Sequence, residues 1–241
     1  MNGVVTLWVY LSASPLLWLA ATLAAYLAAD ALQRRLGRHP LANPVLLAVV
    51  VLVGVLHVSG TPYATYFDGA QFVHFMLGPA TVALGVPLAA KAGELRRMLL
   101  PMLAAVVAGS VTSIVAAAGV AWALGASRTT LLSLAPKSVT TPIAMAISEQ
   151  IGGVPALTAV LVILTGITGA IVVTPLMNGL GLRDYAARGL AAGVASHGIG
   201  TARAFQVSEL AGTLAGIGLA INGLVTAILA PVLVHLWSRW W

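Results

Sequence analysis

The chain has 241 residues, of which 60% are hydrophobic and only 7% are charged, and its mean hydropathy is +1.00. This composition excludes a soluble globular domain, and with it the nucleic-acid-binding function that a net charge of +6 would otherwise suggest. The absence of cysteine excludes disulfides, thiol catalysis and cysteine-ligated metal sites. The composition predicts an integral membrane protein. No basic region precedes the first apolar run, so we expect no cleaved secretion signal.

Apolar segments succeed one another along the whole chain. We expect an all-α, polytopic fold with about seven or eight membrane segments, because about 20 apolar residues suffice to cross a bilayer. Lysines and arginines cluster at 34–38 and 91–97, as is typical of cytoplasmic loops, and this places the N-terminus outside. The polar stretch 61–71 predicts a further loop. The apolar segments are 7–29, 41–58, 72–90, 98–125, 131–149, 154–182, 186–207 and 210–238.

Three of these segments are interrupted, and each precedes a long uninterrupted one. Segment 72–90 holds Gly78-Pro79, segment 131–149 holds Pro136 and Pro142, and segment 186–207 is rich in glycine. Irregular backbone at membrane depth is tolerated only where protein buries it or where it lines a wet cavity. The pattern therefore predicts broken or re-entrant helices beside a solute pathway.

The alternation of broken and long segments indicates an internal repeat. A shift of 57 residues places Leu77-Gly-Pro on Leu134-Ala-Pro, Gly109 on Gly166, and Thr112 beside Thr168. A further shift of 60 residues places Lys137 on His197 and Thr141 on Thr201. The sequence thus predicts one domain of N-terminal helices and then repeat-like units, whose relative orientation is left open. The predicted boundaries are 1–241 for the domain, 1–71 for the N-terminal helices, and 72–130, 131–190 and 191–241 for the three units.

The second and third units carry the polar residues expected of an anion site. Thr141 and Thr201 are expected to cap half-helices, whose N-termini favour a carboxylate. Lys137 and Arg203 add full positive charges. We therefore predict a small carboxylate held between units two and three. The predicted substrate-binding residues are Lys137, Ser138, Thr140, Thr141, Ser196, His197, Thr201 and Arg203.

A structural interpretation stands beside each functional one. His197, Glu149 and Glu209 are candidates for proton coupling, but His197 can equally bond backbone carbonyls, and each glutamate can simply begin a helix. Lys137 can line a site or extend to the membrane surface, and the hydroxyls near the breaks can satisfy local backbone groups. The Gly189-x-x-x-Gly193 spacing predicts close helix packing. Neither a metal site, a cofactor nor an enzymatic function has support in the sequence.

The segments Leu77–Pro87, Pro136-Lys-Ser-Val-Thr-Thr-Pro142 and Ala195-Ser-His-Gly-Ile-Gly-Thr-Ala-Arg203 resemble the signatures of the LrgB/CidB family. Asn43-Pro44 and the stretch from Tyr63 to Phe72 also resemble that family, so the likeness covers nearly the whole chain. It implies a multi-pass protein of the bacterial inner membrane.

The resemblance implies two functions of different classes. Bacterial members are described as antiholin-like or holin-like proteins that modulate murein hydrolase export and cell lysis beside a small LrgA/CidA-type protein. Plant relatives move glycolate and glycerate across the plastid envelope, and bacterial members have been linked to pyruvate, lactate or acetate. The main prediction is a secondary transporter of small monocarboxylates, and the alternative is a regulator of holin-like proteins. An LrgA/CidA-type partner is expected to be a separate protein, and the glycine-rich faces are compatible with a homo-oligomer.

Overall fold

A computed structural model of the chain describes residues 14–83 and 92–237, and every regular element in these two ranges is helical. The expected all-α fold is therefore confirmed for the described residues. The chain divides into two compact units between Ala83 and Leu84. The first unit contains α1 (Pro15–Arg35), α2 (Pro44–Ser59), α3 (Tyr63–Phe75) and α4 (Leu77–Ala83); the second contains α5 (Ala92–Ala123), α6 (Arg128–Leu134), α7 (Thr141–Ile151), α8 (Pro155–Gly179), α9 (Tyr185–Val207) and α10 (Glu209–Trp237).

Within the described ranges, four helices are long and apolar enough to cross a membrane. They are α1, most of α5, α8 and α10. The expected count of about seven or eight membrane segments is thus confirmed only in part. Helix α2 is apolar but has 16 residues, and the segments predicted at 131–149 and 186–207 are broken. The part of segment 72–90 beyond Ala83 lies outside the described residues.

In the first unit, α1 and α3 pack closely. The buried ring of Trp18 meets the ring of Tyr66 edge-on, with the centroids 5.8 Å apart. Gly69 is needed at this contact, because a Cβ there would lie 2.1 Å from the carbonyl oxygen of Pro15. The prediction of a loop over 61–71 is therefore wrong, since packing on α1 stabilises this polar stretch as a helix.

The predicted basic loop at 34–38 is wrong in part as well. Arg34 and Arg35 form the last turn of α1, where cations interact favourably with the negative end of the helix dipole. Arg34 also forms an ion pair with Asp30, one turn earlier on the same helix. Residues 92–97 likewise lie in a helix, at the start of α5.

The break predicted in segment 131–149 is confirmed, and the chain reverses there. Helix α6 ends at Leu134 and α7 begins at Thr141. The Thr158 hydroxyl of α8 contacts both legs, with its oxygen 3.0 Å from the Ser133 carbonyl oxygen of α6 and 2.7 Å from the Ser148 hydroxyl of α7. Residues 128–151 therefore form a hairpin, termed hairpin 1, with its tip at 135–140.

The break predicted in segment 186–207 is also a reversal. A straight helix over Tyr185–Val207 would be about 34 Å long, yet Tyr185 and Val207 line the same small cavity. The helical geometry fails at Ser196 and His197, and His197 has φ 41° and ψ −136°. A positive φ is uncommon and costly for a residue other than glycine, so the surrounding contacts must hold it. Residues 185–207 thus form hairpin 2, with its tip at 196–198.

In the described residues a hairpin precedes a long helix twice, but the repeat itself stays a prediction, and its predicted unit boundary at 190/191 falls inside hairpin 2. Hairpin 1 precedes the long helix α8, and hairpin 2 precedes the long helix α10. The two glycines that the predicted repeat aligns, Gly109 and Gly166, both lie where hairpin 2 approaches a long helix. A Cβ at Gly109 of α5 would lie 3.0 Å from Val194, and one at Gly166 of α8 would lie 2.6 Å from the His197 ring.

Close packing at Gly189 and Gly193 is confirmed. A Cβ at Gly189 would lie 2.1 Å from the carbonyl oxygen of Ala211, and one at Gly193 would lie 2.0 Å from that of Ala215. The first leg of hairpin 2 therefore packs backbone to backbone against α10, the arrangement that small residues permit in membrane helices.

We expect Gly193→Ala to destabilise the protein by about 1–3 kcal/mol, because the new methyl group must push hairpin 2 away from α10. The measurement is thermal unfolding in detergent. Gly179→Ala is the matched control, since nothing lies within 4 Å of a Cβ at that position. Equal unfolding temperatures for the two variants would contradict the packing.

Candidate functional site

The tips of the two hairpins meet at one buried side chain, Asn222 of α10. Its Nδ2 donates to the carbonyl oxygens of Ser138, in the tip of hairpin 1, and of Val194, just before the tip of hairpin 2. Both distances are 3.1 Å. Because unwound backbone leaves carbonyls without helical partners, the two N–H groups of one amide satisfy an acceptor in each hairpin.

The amide of Asn222 is itself held in orientation. Its Oδ1 accepts hydrogen bonds from Ser110 of α5 at 2.6 Å and from Thr226 of α10 at 3.1 Å. All three side chains are fully buried. Two donors on the oxygen and two acceptors on the nitrogen fix which way the amide faces. Helix α5, both hairpins and α10 are therefore joined by a single side chain.

His197 fixes the tip of hairpin 2 against α8. Its Nε2 lies 2.9 Å from the carbonyl oxygen of Val162, and its own carbonyl oxygen accepts a hydrogen bond of 2.8 Å from Thr201. The contact with Val162 agrees with the structural alternative given for His197, that its ring bonds a backbone carbonyl. Its predicted role in proton coupling stays a prediction.

Lys137 is the charged residue at the tip of hairpin 1. It is half-buried, and its Nζ donates to the Ser113 hydroxyl of α5 at 3.3 Å. Among the residues that the structure describes, no carboxylate forms an ion pair with it. Beside it, the buried hydroxyl of Ser138 has no hydrogen-bond partner in the described part of the chain. An ammonium without a counter-charge in a membrane protein suits an anion.

Two cavities meet at Lys137, one on each side of the first leg of hairpin 2. The larger, about 970 Å³, lies between α5 and hairpin 2 and includes Thr112 and Ser113. The smaller, about 520 Å³, lies between α8 and hairpin 2 and includes Thr168 and Ser196. The residues lining both cavities are Lys137, Ala191 and Ala195.

Of the predicted site residues, Lys137 and Ser196 are brought together at one cavity. Arg203 is not among the described residues lining either of these cavities. It lies on the second leg of hairpin 2, where it lines a third cavity of about 20 Å³ with Arg188, and its guanidinium donates to Gln206 at 3.1 Å. The prediction that Lys137 and Arg203 hold one carboxylate together is therefore not supported by the geometry.

Two predicted helix caps are wrong. Helix α7 is preceded by Thr140 rather than Thr141 at the cap position, and no side chain forms a capping hydrogen bond there. Thr201 lies inside the second leg of hairpin 2, because the chain reverses five residues earlier, at Ser196. The break, not the threonine, sets where that leg begins.

The two predicted glutamates differ in position. Glu149 is exposed in the last turn of α7, so the expectation that it begins a helix is wrong. Glu209 is exposed and is the first residue of α10, in agreement with the structural interpretation. Neither is among the described residues lining the cavities at Lys137. Their proposed role in proton coupling stays a prediction.

The profile of the LrgB-like family matches residues 22–236 of the chain. The chain belongs to the LrgB-like family. The resemblance drawn from the sequence motifs is thus confirmed, and both hairpins and the Asn222 network lie within the matched range.

Three relatives of this LrgB-like chain cover 80 to 88% of its length. It is 36% identical over 213 residues to the uncharacterized protein YwbG of Bacillus subtilis, covering 88% of this chain and 94% of the relative. It is 31% identical over 198 residues to the holin-like protein CidB of Staphylococcus epidermidis, covering 82% and 86%. It is 32% identical over 192 residues to the antiholin-like protein LrgB of Bacillus mycoides, covering 80% and 84%. No solved structure matches the chain.

Sequence reasoning missed the residues that complete the site of this LrgB-like protein. Asn222, Ser110 and Ser113 all lie inside long apolar segments, which hydropathy alone predicts as plain spans. Their polar side chains inside apolar segments are the sequence signal, because an amide or hydroxyl at membrane depth usually forms a hydrogen bond to another helix. The sequence does not show which partner Asn222 bonds, because its partners are distant in sequence. Ser138 is 84 residues away and Ser110 is 112 residues away.

We expect Asn222→Leu to destabilise the second unit by about 1–3 kcal/mol, because it leaves the carbonyl of Ser138 in hairpin 1 and that of Val194 in hairpin 2 without this donor. Hydrogen exchange at 135–140 and 194–198 should rise in both tips together. Thr226→Val is the milder control, since it removes one hydrogen bond to Asn222 Oδ1 and leaves both donors in place. Increased exchange in one tip alone would contradict the shared role of the amide.

Proposed function

We propose that this LrgB-like protein is a secondary transporter of small monocarboxylates that binds the carboxylate at Lys137. The observation that carries the proposal is the position of the Lys137 ammonium, where two cavities meet and no described carboxylate pairs with it. Charged side chains are costly at membrane depth and usually mark substrate pathways.

The groups around Lys137 suit a carboxylate. One ammonium N–H is directed to Ser113, which leaves two further donors for the oxygens of a solute. The hydroxyls of Thr112 and Ser113 lie on one side, and those of Thr168 and Ser196 on the other. A charge-assisted hydrogen bond is worth about 1.5–3 kcal/mol, which corresponds to about a 10- to 150-fold gain in affinity.

Transport by alternating access requires the cavities to open in turn. On this proposal the irregular tips of the two hairpins separate while the long helices stay packed. Here the tips are joined through Asn222, so separation breaks at least one of its two bonds to the backbone. Either glutamate, or His197, would then be the candidate for coupling to protons.

The relatives' names favour a second function, and they support it more directly than they support transport. CidB is named holin-like and LrgB antiholin-like. On this proposal the chain modulates holin-like proteins and cell lysis in the bacterial inner membrane by associating with an LrgA/CidA-type partner. Lys137 would then have only an internal structural role, through its hydrogen bond to Ser113, and would bind neither solute nor partner.

Flux into proteoliposomes tests the transport proposal. We expect saturable uptake of labelled lactate or glycolate, loss of saturable uptake in Lys137→Met, and partial retention in Lys137→Arg, which keeps the positive charge. Arg183→Met is the control for overall charge, because Arg183 is exposed between α8 and α9 and lines neither cavity. Absence of saturable flux in the wild-type protein, reconstituted alone or with an LrgA/CidA-type protein, would contradict transport.

The same variants separate the second function from the first. If transport underlies the cellular role, Lys137→Met should change lysis kinetics as a deletion does, at equal protein levels. If the protein acts by association alone, cells with Lys137→Met should lyse as wild-type cells do. Cells with Asn222→Leu, which loosens both hairpins, should show altered lysis. Lysis is measured by culture turbidity after an inducing stress.

A further inference from the structure

The larger cavity at Lys137 is almost entirely apolar. Among its described lining residues only Thr112, Ser113 and Lys137 carry polar side chains. These three lie together, because Ser113 is hydrogen-bonded to the Lys137 ammonium and Thr112 is its neighbour in α5. The remaining lining residues are Ala, Gly, Val or Leu. A solute that lies in this larger cavity with its carboxylate at Lys137 therefore places its other end against hydrocarbon.

The size of the lining side chains adds to this point. Alanines are eight of the 17 described lining residues, from α5 and from the first leg of hairpin 2. Small side chains leave a volume of about 970 Å³, at the upper end of the range of about 300–1,000 Å³ for ligand pockets. A two-carbon hydroxy acid fills little of that space. Its hydroxyl, turned toward the alanines, would also lose its hydrogen bonds to water.

From this lining we infer that the site prefers monocarboxylates with an unsubstituted hydrocarbon body over hydroxy acids of the same length. The inference rests on the proposed function, because it takes Lys137 as the carboxylate-binding group. It specifies the substrate class of that function. Lys137 determines where the carboxylate binds, and the apolar lining favours a hydrocarbon body over a hydroxylated one.

Direct binding to the purified protein in nanodiscs tests the preference. The probes are acetate, propionate, butyrate and pentanoate, with glycolate and lactate as the hydroxy acids of matched length. Transfer of each methylene from water into an apolar wall should tighten binding by about fourfold. Propionate should also bind tighter than lactate. The neutral alcohol 1-butanol and the Lys137→Met variant measure binding that does not depend on the charge.

The cavity wall supplies a matched pair of variants. Ala116 lines the larger cavity one turn from Thr112 and Ser113, whereas Ala104 lies on the same helix, is exposed and does not line it. We expect Ala116→Leu to weaken butyrate and pentanoate binding by about tenfold or more, which corresponds to the loss of two methylenes, while acetate binding stays within about twofold. Ala104→Leu should leave the whole series unchanged.

The outcomes separate this inference from the proposed function. Lys137-dependent binding that is tightest for glycolate or lactate, or that does not change with chain length, would overturn the apolar preference and leave carboxylate binding in place. An unchanged series in Ala116→Leu, with the protein folded as judged by its unfolding temperature, would overturn the assignment of the cavity. Absence of any Lys137-dependent binding across the series would overturn both.

Discussion

The Asn222 amide is the constraint on which the second unit depends. Two hairpins that reverse within an apolar body leave backbone carbonyls that neither a helix nor lipid can satisfy. One side chain donates to a carbonyl in each hairpin, and Ser110 and Thr226 hold its oxygen. Because the tips share this donor, they lie side by side. Their proximity brings Lys137 and Ser196 to one cavity.

The positions of the breaks could be predicted from sequence, but their geometry could not. Proline and glycine act locally, so Pro136, Pro142 and the glycines of segment 186–207 indicated where helices would be interrupted. Whether the chain kinks or reverses at such a point depends on the backbone φ and ψ angles of one or two residues. At the tip of hairpin 2 the decisive residue is His197, with φ 41°, and its sequence position alone gives no sign of it.

The same reversal explains why the sequence could place Lys137 but not Arg203. Lys137 lies in the tip of hairpin 1, so a residue close to the break in sequence is also close to it in space. Arg203 lies six residues beyond His197, on a leg that runs back about 9 Å toward the base of hairpin 2. It therefore lines a small cavity together with Arg188, near the start of that hairpin, and not a cavity with Lys137. A repeat assigns equivalent positions along the chain, but it does not say which of them converge.

The predicted repeat aligns residues of the two helices that line the candidate site, but its units differ at the position of the charged residue. Thr112 of α5 and Thr168 of α8 lie next to each other when the repeats are aligned, and each lines one of the two cavities. At the position of Lys137 the other units carry Ala80 and His197, and the His197 ring is directed to the backbone of α8. Helices α5 and α8 thus each line one cavity, and Lys137 is the cation among the described lining residues of both. Since Lys137 lines both cavities, a carboxylate transported as proposed would meet the same ammonium from either cavity.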